Sequence, residues 1–110
     1  MPSSMDGFVA VGKVSDLQPG QMKWVAVQRE RVLLINVDGT YYALQDQCGH
    51  QRAPLSRGKL AGYAIECPLH FACFDVRTGR LLSGPISTDV LVYEVCVDGD
   101  TVYIRQHDTR

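Results

Sequence analysis

The sequence predicts an all-β chain built of antiparallel hairpins, and three observations carry that prediction. Eight short runs are rich in β-branched and aromatic residues, two Asp-Gly pairs separate such runs, and nowhere do ten or more residues hold a helical period between caps. "FVAVGKV" (8–14) and "KWVAVQ" (23–28) open the series, divided by the loop "SDLQPGQ" (15–21), whose Pro-Gly breaks any regular period. "RVLLINV" (31–37) and "TYYALQ" (40–45) follow, joined through Asp38-Gly39; "LVYEVCV" (91–97) and "TVYIRQ" (101–106) are joined through Asp98-Gly99. Asp-Gly between alternating runs signals a tight hairpin, because a primed turn requires positive φ. "YAIEC" (63–67) and "ACFDV" (72–76) lie between these two hairpins, and "SGPISTD" (83–89) reads as a loop. Residues 1–44 and 81–110 are expected to form a base, with residues 45–80 inserted as a small subdomain bounded by glycine- and proline-containing turns.

At 110 residues, 45% hydrophobic and 21% charged, the chain suits one core and lacks the material for two. A formal charge of −1 gives no reason to expect nucleic acid or an anionic membrane as partner. The opening "MPSSMDGFVAVGK" lacks a basic n-region and an apolar core, and "VLLINV" (32–37) is too short to span a bilayer. A soluble, cytoplasmic protein with no membrane partner is expected. Without a secretory signal, the four cysteines argue against a disulfide framework. Cys73 and Cys96 lie in apolar alternation and are expected to be small buried hydrophobes.

The other two cysteines stand beside histidines. Cys48-Gly49-His50 is followed, sixteen residues on, by Cys67-Pro68-Leu69-His70, so two short loops each offer one sulfur and one imidazole nitrogen. Thiolate and imidazole suit zinc or an iron–sulfur cluster, whereas calcium and magnesium want oxygen ligands. Gly49 permits a tight backbone in the first loop, and Pro68 fixes φ in the second. Two readings stay open on these residues: one zinc ion with four ligands, or a [2Fe–2S] cluster with two cysteines on one iron and two histidines on the other.

The spacing Cys-X-His, then Cys-X-X-His, resembles the Rieske iron–sulfur motif. Its flanks, "YYALQDQCGH", "APLSRGKL", "FDVRTGR" and the closing "LVYEVCVDGDTVYIR", are similar to the small Rieske-type ferredoxins of bacterial ring-hydroxylating dioxygenase systems. The resemblance implies a Rieske-like antiparallel β-sandwich with an inserted cluster-binding subdomain. It implies one [2Fe–2S] cluster, held by Cys48 and Cys67 on the inner iron and by His50 and His70 on the outer. It further implies no enzyme, but a one-electron carrier in aromatic hydrocarbon catabolism, between an NAD(P)H-dependent flavoprotein ferredoxin reductase and a terminal oxygenase. High-potential members of the family carry a disulfide at positions corresponding here to Ala53 and Leu69, and hydroxyl donors where this chain has Ala72 and Phe74. Losing those donors makes reduction less favourable, which places the expected potential low in the Rieske range, near roughly −150 mV. Where family members usually have glycine after the second histidine, this chain has Phe71.

Two alternatives accompany that reading: a Rieske-like small subunit of a nitrite reductase, and a zinc-stabilised interaction module. Residues 45–80 hold five basic side chains (Arg52, Arg57, Lys59, Arg77, Arg80) against three acidic (Asp46, Glu66, Asp75), a local +2, while the remainder carries six against nine, or −3. A relatively basic cluster end would steer an acidic partner, or is an ordinary solvated loop surface; the imbalance is small and leaves both readings open. Asp46 and Asp75, flanking the ligand segments, read either as carboxylates that orient the loops or as turn-side carboxylates with no such role, Trp24 and the tyrosines at 41, 42, 93 and 103 as core, and His107 as a solvated terminal residue.

Overall fold

The computed structural model describes residues 7–27, 29–47, 54–68, 71–84 and 89–106. Their regular structure is almost entirely strand: β1 (Val9–Lys13), β2 (Met22–Val27), β3 (Glu30–Val37), β4 (Thr40–Gln45), β5 (Lys59–Ala61), β6 (Ala64–Glu66), β7 (Cys73–Asp75), β8 (Leu81–Ser83), β9 (Val92–Asp98) and β10 (Thr101–Gln106). Single 3-10 turns cover Val14–Asp16 and Leu55–Arg57. The larger sheet runs β1-β10-β9-β4-β3-β2 and the smaller β5-β6-β7-β8, with every pairing antiparallel.

The two Asp-Gly pairs make two different turns. In the β3–β4 hairpin, Val37 pairs with Thr40, and Asp38 and Gly39 both have positive φ (53° and 92°), as a type I′ turn demands. In the β9–β10 hairpin, Asp98 itself pairs with Thr101, so Gly99 (φ 65°) and Asp100 are the central residues, the glycine-first pattern of type II′.

Burial shows why the strongest apolar run lies where it does. Residues 32–37 of β3 are all buried, the mark of a strand covered on both faces. Val32 and Leu34 join Ala43, Tyr93, Ile104 and Leu17 in one core, inside the larger sheet, whose edge strands β1 and β2 curl close to each other. Leu33, Ile35 and Val37 face the opposite way and join Leu44, Ile65, Cys67, Phe74 and Val76 in a second core, against the smaller sheet. The two sheets thus meet as the expected antiparallel sandwich, with β3 as the wall between its cores. Asn36, buried within β3, is satisfied at both ends: its amide donates to the Leu17 carbonyl (2.8 Å) and its side-chain oxygen accepts the Gly39 N–H (2.8 Å).

Several expectations need correction. Trp24 is 45% exposed and lies outside both cores; its ring is covered by the Arg31 guanidinium, 3.9 Å from the centroid. Cys73 and Cys96 are half-buried, because each faces away from the apolar side of its strand, while Cys67 is the fully buried cysteine among the described residues. β5 and β8 have no counterpart among the eight runs; at three residues each they are too short to display a period. His107 lies outside the described residues.

Candidate metal centre

The loop after β6 holds Cys67. The Cys67 N–H donates to the Ala72 carbonyl (2.7 Å), so Cys67 and Ala72 close a four-residue hairpin loop between β6 and β7. Cys67 is wholly removed from water, set among Leu33, Ile35, Ile65 and Phe74. Pro68 and Phe71 stand exposed at the described ends of the loop. Of the other proposed ligands, Cys48, His50 and His70 lie outside the described residues, as do Ala53 and Leu69.

Phe71 has φ +59°, in the left-handed region. For a bulky L-residue this conformation costs about 1–2 kcal/mol, because Cβ crowds the following carbonyl oxygen. The ring is 69% exposed, so burial does not offset that cost. The conformation accounts for the glycine that the resemblance leads one to expect here.

The base of the first ligand loop is fastened by a buried carboxylate. Asp46, two positions before Cys48, is a buried hub, which favours the loop-orienting reading of this carboxylate. It accepts the Ser56 N–H (2.6 Å) and the Ser56 hydroxyl (2.9 Å), and the Arg31 Nε and Nη2 (3.2 and 3.0 Å). Its own N–H donates to the Arg31 carbonyl (3.0 Å). One carboxylate therefore ties the chain entering the loop to the chain leaving it, and both to β3. These contacts span 10 and 15 positions of sequence, so no local pattern announces them.

Two glycines let the neighbouring segments close in on Cys67. A Cβ on Gly58 would lie 1.9 Å from the Glu66 carbonyl oxygen, so only glycine admits the end of the first loop against the strand that delivers Cys67. A Cβ on Gly84 would lie 2.6 Å from the Ala72 Cα, so the Gly84 backbone lies close against the second ligand loop. The Gly-Pro pair was the available signal for this third segment, but it reads only as a turn.

Around these loops the charges are partly neutralised. Asp75 holds Arg77 through two side-chain hydrogen bonds (3.1 Å each), and that bond to Arg77 keeps the Asp75 carboxyl below its ordinary range. Arg77 also lies over the Tyr63 ring, 4.2 Å from its centroid. The local excess of positive charge therefore falls to Arg57, Lys59 and Arg80, all exposed, since Arg77 is paired and Arg52 lies outside the described residues. Beside the first loop, a cleft of about 500 Å³ is lined by Arg29, Arg31, Gln47, Pro54 and Tyr93 among others. The Tyr93 hydroxyl donates to Glu30 (2.6 Å), and burial, reinforced by that carboxylate, raises its pKa.

The family model for the Rieske [2Fe-2S] domain matches residues 7–94. The chain belongs to the Rieske family. It is 37% identical over 98 residues to the biphenyl dioxygenase ferredoxin subunit of Pseudomonas sp. (strain KKS102), a match that takes in 88% of this chain and 90% of that one. It is 38% identical over 105 residues to apoptosis-inducing factor 3 of Homo sapiens, which takes in 94% of this chain but only 17% of that longer relative. Among solved structures, a chain from the complex of reduced oxygenase and oxidized ferredoxin in carbazole 1,9a-dioxygenase superposes with a TM-score of 0.85 at 36% identity, covering 92% of this chain and 96% of that chain.

A Rieske protein carries one [2Fe–2S] cluster, and the described residues fit that group. Cys67 presents sulfur, a soft donor suited to iron–sulfur chemistry, at the closed mouth of a hairpin loop on an apolar bed. Ala72 and Phe74, where high-potential Rieske proteins have hydroxyls, are fully buried and bring only a methyl and a phenyl group to the site. No helix of the described residues is long and apolar enough to cross a membrane.

Proposed function

We propose that this Rieske protein is the ferredoxin of a multicomponent ring-hydroxylating dioxygenase system, carrying single electrons from an NAD(P)H-dependent flavoprotein reductase to the terminal oxygenase in the cytoplasm. The observation that carries the reading is the near end-to-end match to a biphenyl dioxygenase ferredoxin, 90% of which is covered. A carrier of this kind catalyses no reaction of its own.

Cys48 and Cys67 are the proposed ligands of one iron, and His50 and His70 of the other. When bound, the cluster accepts and releases one electron. The chain's part is to hold the ligands still. Asp46 clamps the first loop at its base, the Cys67–Ala72 hydrogen bond closes the second, and the apolar side of β3 excludes water beneath Cys67. In this reading residues 1–44 and 81–110 form the base and residues 45–80 the cluster-binding subdomain, with β8 carrying the smaller sheet on to Ser83.

The test is an EPR spectrum of the dithionite-reduced protein. A rhombic signal with an average g below that of all-cysteine [2Fe–2S] clusters is expected, together with a midpoint near roughly −150 mV. A colourless, EPR-silent protein that binds zinc would return the chain to the zinc-stabilised alternative.

A further inference from the structure

We propose that Phe71 is the aromatic anchor by which the ligand-loop end docks, entering an apolar concavity on the terminal oxygenase. The inference rests on the carrier reading above. Phe71 is the most exposed large apolar side chain among the described residues, at 69%, and it belongs to neither core. Isolated exposed apolar residues are common and by themselves mean little. Phe71 differs because its backbone is held at φ +59°, where glycine would sit without strain and a phenyl ring brings the fold no burial in return. A strained conformation kept at a functional loop points to a use outside the fold.

Its location says what that use is. Phe71 directly follows His70 in sequence and stands in the loop closed by Cys67 and Ala72, so a partner that docks on this loop meets the ring. The other exposed aromatics are already engaged: Trp24 is covered by Arg31, and Tyr63 by Arg77. Aromatic side chains that enter apolar pockets at the centre of an interface carry a large share of binding energy. The oxygenase is favoured as occupant because the similar carbazole-system chain comes from a complex of oxygenase and ferredoxin.

The experiment uses cluster-loaded wild type, Phe71→Gly and Phe71→Leu, each reduced with dithionite and mixed in stopped flow with the oxygenase components of the biphenyl and carbazole systems. Wild type is expected to pass electrons to at least one of them. Phe71→Gly should slow that second-order step roughly tenfold or more, and Phe71→Leu, which keeps an apolar side chain, by no more than about threefold. The loss should persist at about 1 M salt, where surface charge is screened within about 3 Å. Midpoint potential and g values should stay unchanged. Equal rates for wild type and Phe71→Gly would overturn the proposal, as would a shift in midpoint or g values, which would make the ring a cover for the cluster. A parallel assay follows NAD(P)H-driven reduction of the oxidised proteins by the flavoprotein reductase of the biphenyl system; a Phe71→Gly loss seen there and absent from the oxygenase step would also overturn the proposal, by assigning the ring to that partner. Wild type inert toward both oxygenases would instead overturn the carrier reading, and the anchor with it.

Discussion

Asp46 shows how one side chain fixes a loop that it does not belong to. Its carboxylate accepts donors from Ser56 on one side and Arg31 on the other, and its side chain is fully buried while that of Arg31 is 47% exposed. Replacing it by asparagine keeps the shape but removes the charge and turns an NH2 group toward N–H and O–H donors. Asp46→Asn should cost about 2 kcal/mol, the penalty for leaving buried donors poorly paired, and should speed loss of iron from the loaded protein. Thermal unfolding and the rate of iron release to a chelator measure the two effects; an unchanged release rate would show that the clamp does not reach the first ligand loop. The sequence could not reveal this hub, because a carboxylate before a turn looks the same whether solvated or buried. Trp24 misleads in the same way: alternation within β2 places it on one face, but does not say that this face meets Arg31 and water.

Among the elements, those with a period or a turn signature were legible and the shortest were not. The long strands β4, β9 and β10 follow from alternation, β3 from its near-continuous apolar run, and both hairpins from the Asp-Gly signals. β5 and β8 exist because their neighbours β6 and β7 offer paired backbone groups, a tertiary cause that three residues cannot encode. The β7–β8 connection carries a pH dependence. The Arg77 side chain lowers the Asp75 pKa in the folded state below 3.8, so the ionised carboxylate stabilises the hairpin. That contribution is fully present above the unfolded value and is lost as pH falls through the folded one. The melting-temperature difference between wild type and Asp75→Asn should therefore be constant near neutrality and shrink on acidification below about pH 4. A difference that does not vary with pH would remove Asp75 ionisation as the cause.

At the scale of the whole molecule, β3 makes the two cores mechanically one. Val32 and Leu34 belong to the first and Leu33 and Ile35 to the second, so neither can open without disturbing the same backbone. Leu33→Ala should cost about 2–5 kcal/mol through the cavity it leaves. Far-UV circular dichroism and the visible absorbance of the cluster should fall together on heating, in wild type and variant alike. Bleaching well below the β-sheet transition would show that the smaller sheet opens on its own. The proposed ligand quartet was legible because its spacing is written in two short stretches of sequence, whereas the bed under Cys67 joins its own neighbours Ile65 and Phe74 to Leu33 and Ile35 of the distant strand β3, a pairing that no local pattern encodes. The doubly buried strand also limits how the site can be moved. Residues 45–84, cut out as a cassette and spliced into a foreign scaffold, would lay Ile65, Cys67 and Phe74 bare, so any working transplant must bring a host strand with the side chains of Leu33, Ile35 and Val37 at matching height. The portable unit of this redox centre is therefore discontinuous: a loop-bearing sheet together with one face of a strand that precedes it.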